Sequence, residues 1–97
     1  MDFSWDPKKG SANRRKHGIS FKLAITAFDD PYALIAVDHR HSTGSETREW
    51  LIGESDAGLI VIIFTKRVRG RVYRIISARR ANRRERGLYE EYKRIPV

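Results

Sequence analysis

The run Leu59-Ile60-Val61-Ile62-Ile63-Phe64-Thr65 constrains this chain more than any other stretch. It is continuous, rich in β-branched and aromatic residues, and far too short to cross a membrane as a helix. Such a run reads as a central strand covered on both faces. The rest of the chain must therefore supply cover on two sides of a sheet. Ninety-seven residues suffice for one modest core and not two, which predicts a single domain over residues 1–97.

The flanking segments read as follows. Phe3-Ser4-Trp5 alternates as a short first strand. Asp6-Pro7 starts a helix, with Asp as N-cap and Pro at the first helical position, and Gly18 stops it after His17. Ser20 caps a second helix, where Phe21, Ala24, Ile25 and Phe28 make one apolar stripe, ended by Asp30-Pro31. Ala33–Asp38 and Glu46–Ile52 form a hairpin around a polar turn, His39–Ser45, and Gly53–Gly58 is the next turn. After the central run, Lys66–Gly70 turns, Arg71–Ala78 is the last strand, and a helix covers about Ala81 to Lys93. The predicted class is α+β: a small antiparallel sheet with two N-terminal helices and one C-terminal helix packed on it.

Charge is distributed unevenly. The chain carries +8, yet residues 1–65 hold eight Lys and Arg against nine Asp and Glu, and residues 66–97 hold twelve against three. All the excess lies in the last third, and most of it is arginine. Guanidinium forks match phosphate oxygens, so the field points to a nucleic acid. A solvated basic face that only aids solubility is the alternative.

Other classes are excluded or disfavoured. There is no cysteine, hence no disulfide and no thiolate metal site. His17, His39 and His41 lack metal-ligand spacing, and Arg40 lies between the latter two. Neither a metal nor another cofactor is expected. No membrane-spanning run and no signal-peptide core is present, so a cytoplasmic location is expected.

Three local features break the regular pattern. Lys9, Asn13 and His17 line one side of the first helix, with Lys16 alongside. They read either as a phosphate-contacting stripe with His17 moving a proton, or as helix-end chemistry with Asn13 bonding a neighbouring loop. Glu46 and Arg48 share a strand face, as a cross-strand ion pair or as an arginine held at a scissile phosphate. The last helix sets Glu85 in a stripe with Ala81, Leu88 and Tyr92, with Tyr89 beside it. A carboxylate there needs a cation, and Arg48, Arg74 and Arg79 are the candidates. A fully buried structural pair predicts a loss of about 3–5 kcal/mol for Glu85→Ala.

Taken in order, these pieces resemble the BrnT toxin family. The resemblance rests on Phe3-x-Trp5-Asp6-x-x-Lys9, Asn13-x-x-Lys16-His17-Gly18-Ile19-Ser20-Phe21 and Ala27-Phe28-Asp29-Asp30-Pro31. It continues through Glu46-x-Arg48, Ile52-Gly53 and Thr65-x-Arg67. It ends in Arg74-Ile75-Ile76-Ser77-Ala78-Arg79-Arg80-Ala81 with Glu85-Arg86-x-x-Tyr89-Glu90. Lys66 stands where an acidic residue is expected. The resemblance implies a ribonuclease toxin of a type II toxin–antitoxin pair with a RelE-like fold. It also implies a hetero-oligomer with a BrnA-type antitoxin that binds DNA and represses the shared operon.

Metal-free RNA cleavage needs a base for the 2′-hydroxyl, cations for the phosphorane and an acid for the leaving oxygen. The expected charge stabilisers are Arg79 and Arg48, the latter held by Glu46, with Lys16 assisting. His17 and Tyr89 are the expected proton carriers. Lys9, Arg67, Arg74, Arg80 and Arg83 are expected RNA contacts, with Glu85 in a structural ion pair. A non-catalytic nucleic-acid-binding module and a partner-binding subunit are the competing readings. Trp5 and Trp50 could stack on bases, although tryptophans in strands usually belong to a core.

Overall fold

The computed structural model describes residues 1–95; positions 96 and 97, the end of the predicted domain, lie outside the described residues. The chain runs β1 (Asp2–Ser4), α1 (Pro7–His17), α2 (Phe21–Ala24), a 3₁₀ helix (Ile25–Asp29), β2 (Leu34–Val37), β3 (Arg48–Ser55), β4 (Gly58–Arg67), β5 (Val72–Arg80) and α3 (Arg83–Lys93). The strands form one sheet in the order β1-β5-β4-β3-β2. The predicted α+β class holds, with one correction to the sheet. β1 pairs parallel to β5, while the other pairs are antiparallel. A parallel partner needs a crossover rather than a hairpin, and no local turn signal announces it.

The apolar run lies in β4, between β3 and β5, as its composition requires. Its two faces are covered unequally. Ile60, Ile62 and Phe64 are fully buried in one cluster with Ile19, Phe21, Ala24, Ala27, Leu51, Ile75 and Ala78. Each buried Ile, Leu or Phe among them contributes about 1.5–3 kcal/mol. Phe28 stacks among Phe3, Phe64 and Tyr73 at centroid distances of 4.9–5.5 Å and seals that layer. The other face holds a smaller cluster, Ile52, Leu59, Val61 and Tyr89. There α3 is the only cover among the described residues, and it buries only Tyr89.

Both N-terminal caps form as read. Asp6 accepts from the Lys8 amide at 2.9 Å, Gly18 closes α1 in the left-handed region, and Ser20 accepts from the Leu23 amide at 3.1 Å. The second predicted helix tightens after one turn into the 3₁₀ segment, so its apolar stripe is shared between two helix types. β3 begins at Arg48, leaving Glu46 in the loop, and runs through Gly53 rather than turning there. A Cβ at Gly53 would come within 3.2 Å of the Ala27 carbonyl, so glycine lets the 3₁₀ segment lie directly on the strand.

The last helix differs most from expectation. Tyr89 is 1% exposed, whereas Leu88 and Tyr92 are 43% and 52% exposed. The helix begins at Arg83 behind an Asn82 capping box, two residues later than read, and docks on the sheet through Tyr89.

Candidate functional site

β3 and β4 alternate, so the side chains opposite the main core project toward α3. Those of β3 are Arg48, Trp50 and Ile52; those of β4 are Val61 and Ile63. A register shift at Ile63/Phe64 leaves Ile76 as an extra residue in β5. Ile76, Ser77 and Arg79 all line the same side. Because α3 covers only part of this face, a cavity of about 520 Å³ remains. Its floor is Trp50, Ile52, Val61 and Ile63. Its charged rim is Asp38, His41, Arg48, Arg79, Arg84 and Glu85.

Arg79 ends β5 and Glu85 lies in the first turn of α3. Their two bonds are both 2.7 Å, a fork-to-fork pair. The Arg79 bond holds the Glu85 carboxyl below its usual range despite burial, and Glu85 in turn raises the Arg79 guanidinium. Arg79 Nη1 also donates to the Arg80 carbonyl at 3.3 Å. Of the five N–H donors on a guanidinium, its Nε–H and one on Nη2 have no partner among the described residues. Arg48 Nε donates to Glu46 Oε1 at 3.2 Å, and Glu46 Oε2 lies 3.7 Å from Arg67. No described carboxylate pairs with Arg84.

On the same rim, His41 Nδ1 lies 2.9 Å from Asp38 Oδ2. Burial alone would push the Asp38 carboxyl up. The bonds from the His41 ring and backbone amide outweigh it, and the carboxyl is held below its usual range.

The cavity thus brings together Arg48, Arg79 and Glu85, with Glu46 behind Arg48. It does not bring in Lys9, Lys16 or His17. Their helix packs on the other face, where Asn13 is buried and bonds both backbone groups of Ala78 and the Ile19 carbonyl. Asn13 therefore docks α1, and its partner is a strand as well as a loop. Tyr89 does not line the cavity either. Its phenol is buried, donates to Asp30 Oδ2 at 2.6 Å, and is raised well above its usual range by burial and by that carboxylate. Arg80 clips the Ala57 carbonyl at 2.9 Å outside the cavity. Arg74 is half-buried beside Thr65 in register, and Arg83 is exposed. Neither lines the cavity. Trp5 packs edge-on against Phe21 in the main core, whereas Trp50 floors the cavity.

Two residues of the cavity rim escaped the sequence reading: Asp38 and His41. The spacing Asp38-x-x-His41 after a strand was the available signal, since Asp at such a position folds the loop back on itself. No group of three His, Asp or Glu side chains suited to a metal ion occurs among the described residues. No helix among them is long and apolar enough to cross a membrane.

No curated protein is similar enough to the chain to match it. Residues 5–85 match the family model for the ribonuclease toxin, BrnT, of type II toxin–antitoxin systems, and the chain belongs to that family.

Proposed function

We propose that the chain is a cytoplasmic endoribonuclease that cleaves RNA in the cavity beneath α3, without a metal ion. A BrnA-type antitoxin, a DNA-binding repressor of the shared operon, would neutralise it by covering that cavity in a hetero-oligomer. The carrying observation is the convergence of Arg48, Arg79 and Arg84 on one apolar-floored cavity. Guanidinium donors fixed on two strands and a helix suit a phosphorane, whose charge grows on its equatorial oxygens. Glu46 and Glu85 hold two of them in place before substrate arrives, which lowers the reorganisation needed during reaction. Trp50 offers a flat face to a base. Arg67, Arg74, Arg80 and Arg83 extend the basic field toward the flanking RNA, as do Lys9 and Lys16 from the other side.

The test is 5′-end mapping on purified RNA incubated with the protein in excess EDTA. Wild type creates new RNA ends, and Arg48→Ala and Arg79→Lys create few. Ends that vanish with EDTA would remove the metal-free chemistry. No ends with wild type would sink the ribonuclease reading and leave the nucleic-acid-binding module. Co-expressed BrnA-type antitoxin restores growth and co-purifies with the chain.

A further inference from the structure

The cavity needs a group that can accept a proton near neutral pH, and its arginines cannot. A guanidinium stays protonated throughout and only holds charge. His17 does not line the cavity, and the Tyr89 phenol is committed to Asp30. His41 does line the cavity, and its side chain is 61% exposed. We propose that His41 takes the 2′-hydroxyl proton when RNA is cleaved here, and that Asp38 positions it. This assignment rests on the ribonuclease reading above and adds its base.

The geometry selects the tautomer. An ionised carboxylate only accepts, so Nδ1 of the neutral ring carries the hydrogen toward Asp38 Oδ2 and Nε2 presents its lone pair. Asp38 is itself fixed. Its amide donates to the Arg48 carbonyl at 2.7 Å. Ser42 Oγ donates to the Asp38 carbonyl at 2.6 Å and accepts from the Arg48 amide at 2.9 Å. The dyad is therefore fastened to the same residue of β3 that sends its guanidinium to the cavity rim. An Asx turn would account for Asp38 Oδ1 meeting the His41 amide at 3.3 Å. It does not account for the second oxygen meeting the ring, nor for both side chains facing the cavity.

The step balances without a further reagent except water. The 2′-oxygen yields its proton to Nε2 and attacks the adjacent phosphorus. The bond from phosphorus to the 5′-oxygen breaks with its electron pair on oxygen, which takes a proton from water. The resulting hydroxide recovers the proton from the imidazolium. The products end in a 2′,3′-cyclic phosphate and a 5′-hydroxyl. The charged groups sharing the cavity with His41 are Asp38 from the β2–β3 loop, Arg48 from β3, Arg79 from β5, and Arg84 and Glu85 from α3.

The experiment measures cleavage of the same purified RNA by the full-length protein with EDTA, from about pH 5 to 9, the range that brackets imidazole titration. His41→Gln should lower the neutral rate about 10²–10³-fold and abolish the acid limb of the profile. Its melting temperature should match wild type, because the ring is mostly in solvent. Asp38→Asn should lower the rate less and move the acid limb to lower pH. A purely structural Asp38 would leave that limb in place, and the displacement is read within one protein even if the variant is less stable. His41→Gln within about threefold of wild type and with its acid limb intact would overturn the assignment. An unmoved limb in Asp38→Asn would overturn the positioning role. Wild type that cleaves nothing would overturn the ribonuclease reading itself, and the assignment with it.

Discussion

The Tyr89 phenol donates to Asp30 Oδ2 at 2.6 Å and joins α3 to a loop 59 residues earlier in the chain. The same carboxylate accepts the amides of Glu54 and Tyr32 at 2.8 and 2.9 Å. One side chain therefore ties the 3₁₀–β2 loop, β3 and α3 together. Without it, the helix that roofs half the cavity would keep only modest apolar anchorage.

Tyr89→Phe should cost about 1–2 kcal/mol, the usual loss for a hydrogen bond to a charged acceptor that keeps other partners. Burial pushes the Asp30 carboxyl up, but the Tyr89 bond, the two amides and the Lys93 charge hold it below its usual value. Its contribution is thus present above an unfolded value of about 3.9 and fades as pH falls through the lowered folded value. Urea unfolding at pH 7 and pH 3 should show a smaller difference for Tyr89→Phe than for wild type. RNA cleavage should survive the substitution wherever the protein is folded.

Glu85 serves both the ion pair with Arg79 and the capping box of α3. Glu85→Gln keeps the reach of the cap but loses the charge, for about 1 kcal/mol. Glu85→Ala loses both, for about 2–3 kcal/mol. That is less than a fully buried pair would cost, because the Arg79 side chain is 41% exposed and water screens it. The Glu85 carboxyl is held down, so this stability exists above about pH 4.3 and is lost as pH falls below it. The denaturation midpoint of each variant across that range decides the matter.

Asn13→Ala should be the most damaging polar truncation. It leaves the carbonyls of Ile19 and Ala78 and the amide of Ala78 without their partner in a buried setting. About 3 kcal/mol or more is expected. Asn13→Asp should fare no better, since a carboxylate cannot donate to two carbonyls. Thermal unfolding of both variants checks this, and a small shift for either would mean that water replaces the amide.

The two faces of the sheet should separate in activity. Arg48→Ala and Arg79→Lys should lower the cleavage rate about 10²–10³-fold, as loss of a transition-state contact does. Lys16→Ala and His17→Ala should change it by less than about tenfold, acting only through the general field. Glu85→Gln controls for the indirect effect of losing the Arg79 brace. A large loss in His17→Ala, with normal folding, would move the chemistry to the α1 face.

What the sequence determined by itself follows from local physics. Asp6-Pro7, Gly18 and Ser20 set helix ends because caps act within one turn, and the apolar run placed β4 at the centre because nothing else could bury it. The partner of Glu85 was narrowed to three arginines on charge alone, and Arg79 is the one that binds it. Which side chain of α3 turns inward was decided by its docking, through the buried Tyr89 and its bond to Asp30. Only the tertiary structure could show that α3 crosses the cavity face while α1 docks on β5 away from the cavity. Sequence spacing fixes what lies along one element, not which side of a sheet that element crosses. His17 and Arg79 were therefore both candidates for the chemistry, while His41, read as a loop residue beside Arg40, shares the cavity with Arg48 and Arg79. The parallel pairing of β1 and the partial roof that leaves the cavity open were likewise decided by long-range packing. That packing depends on contacts between residues tens of positions apart, and no window along the chain contains them.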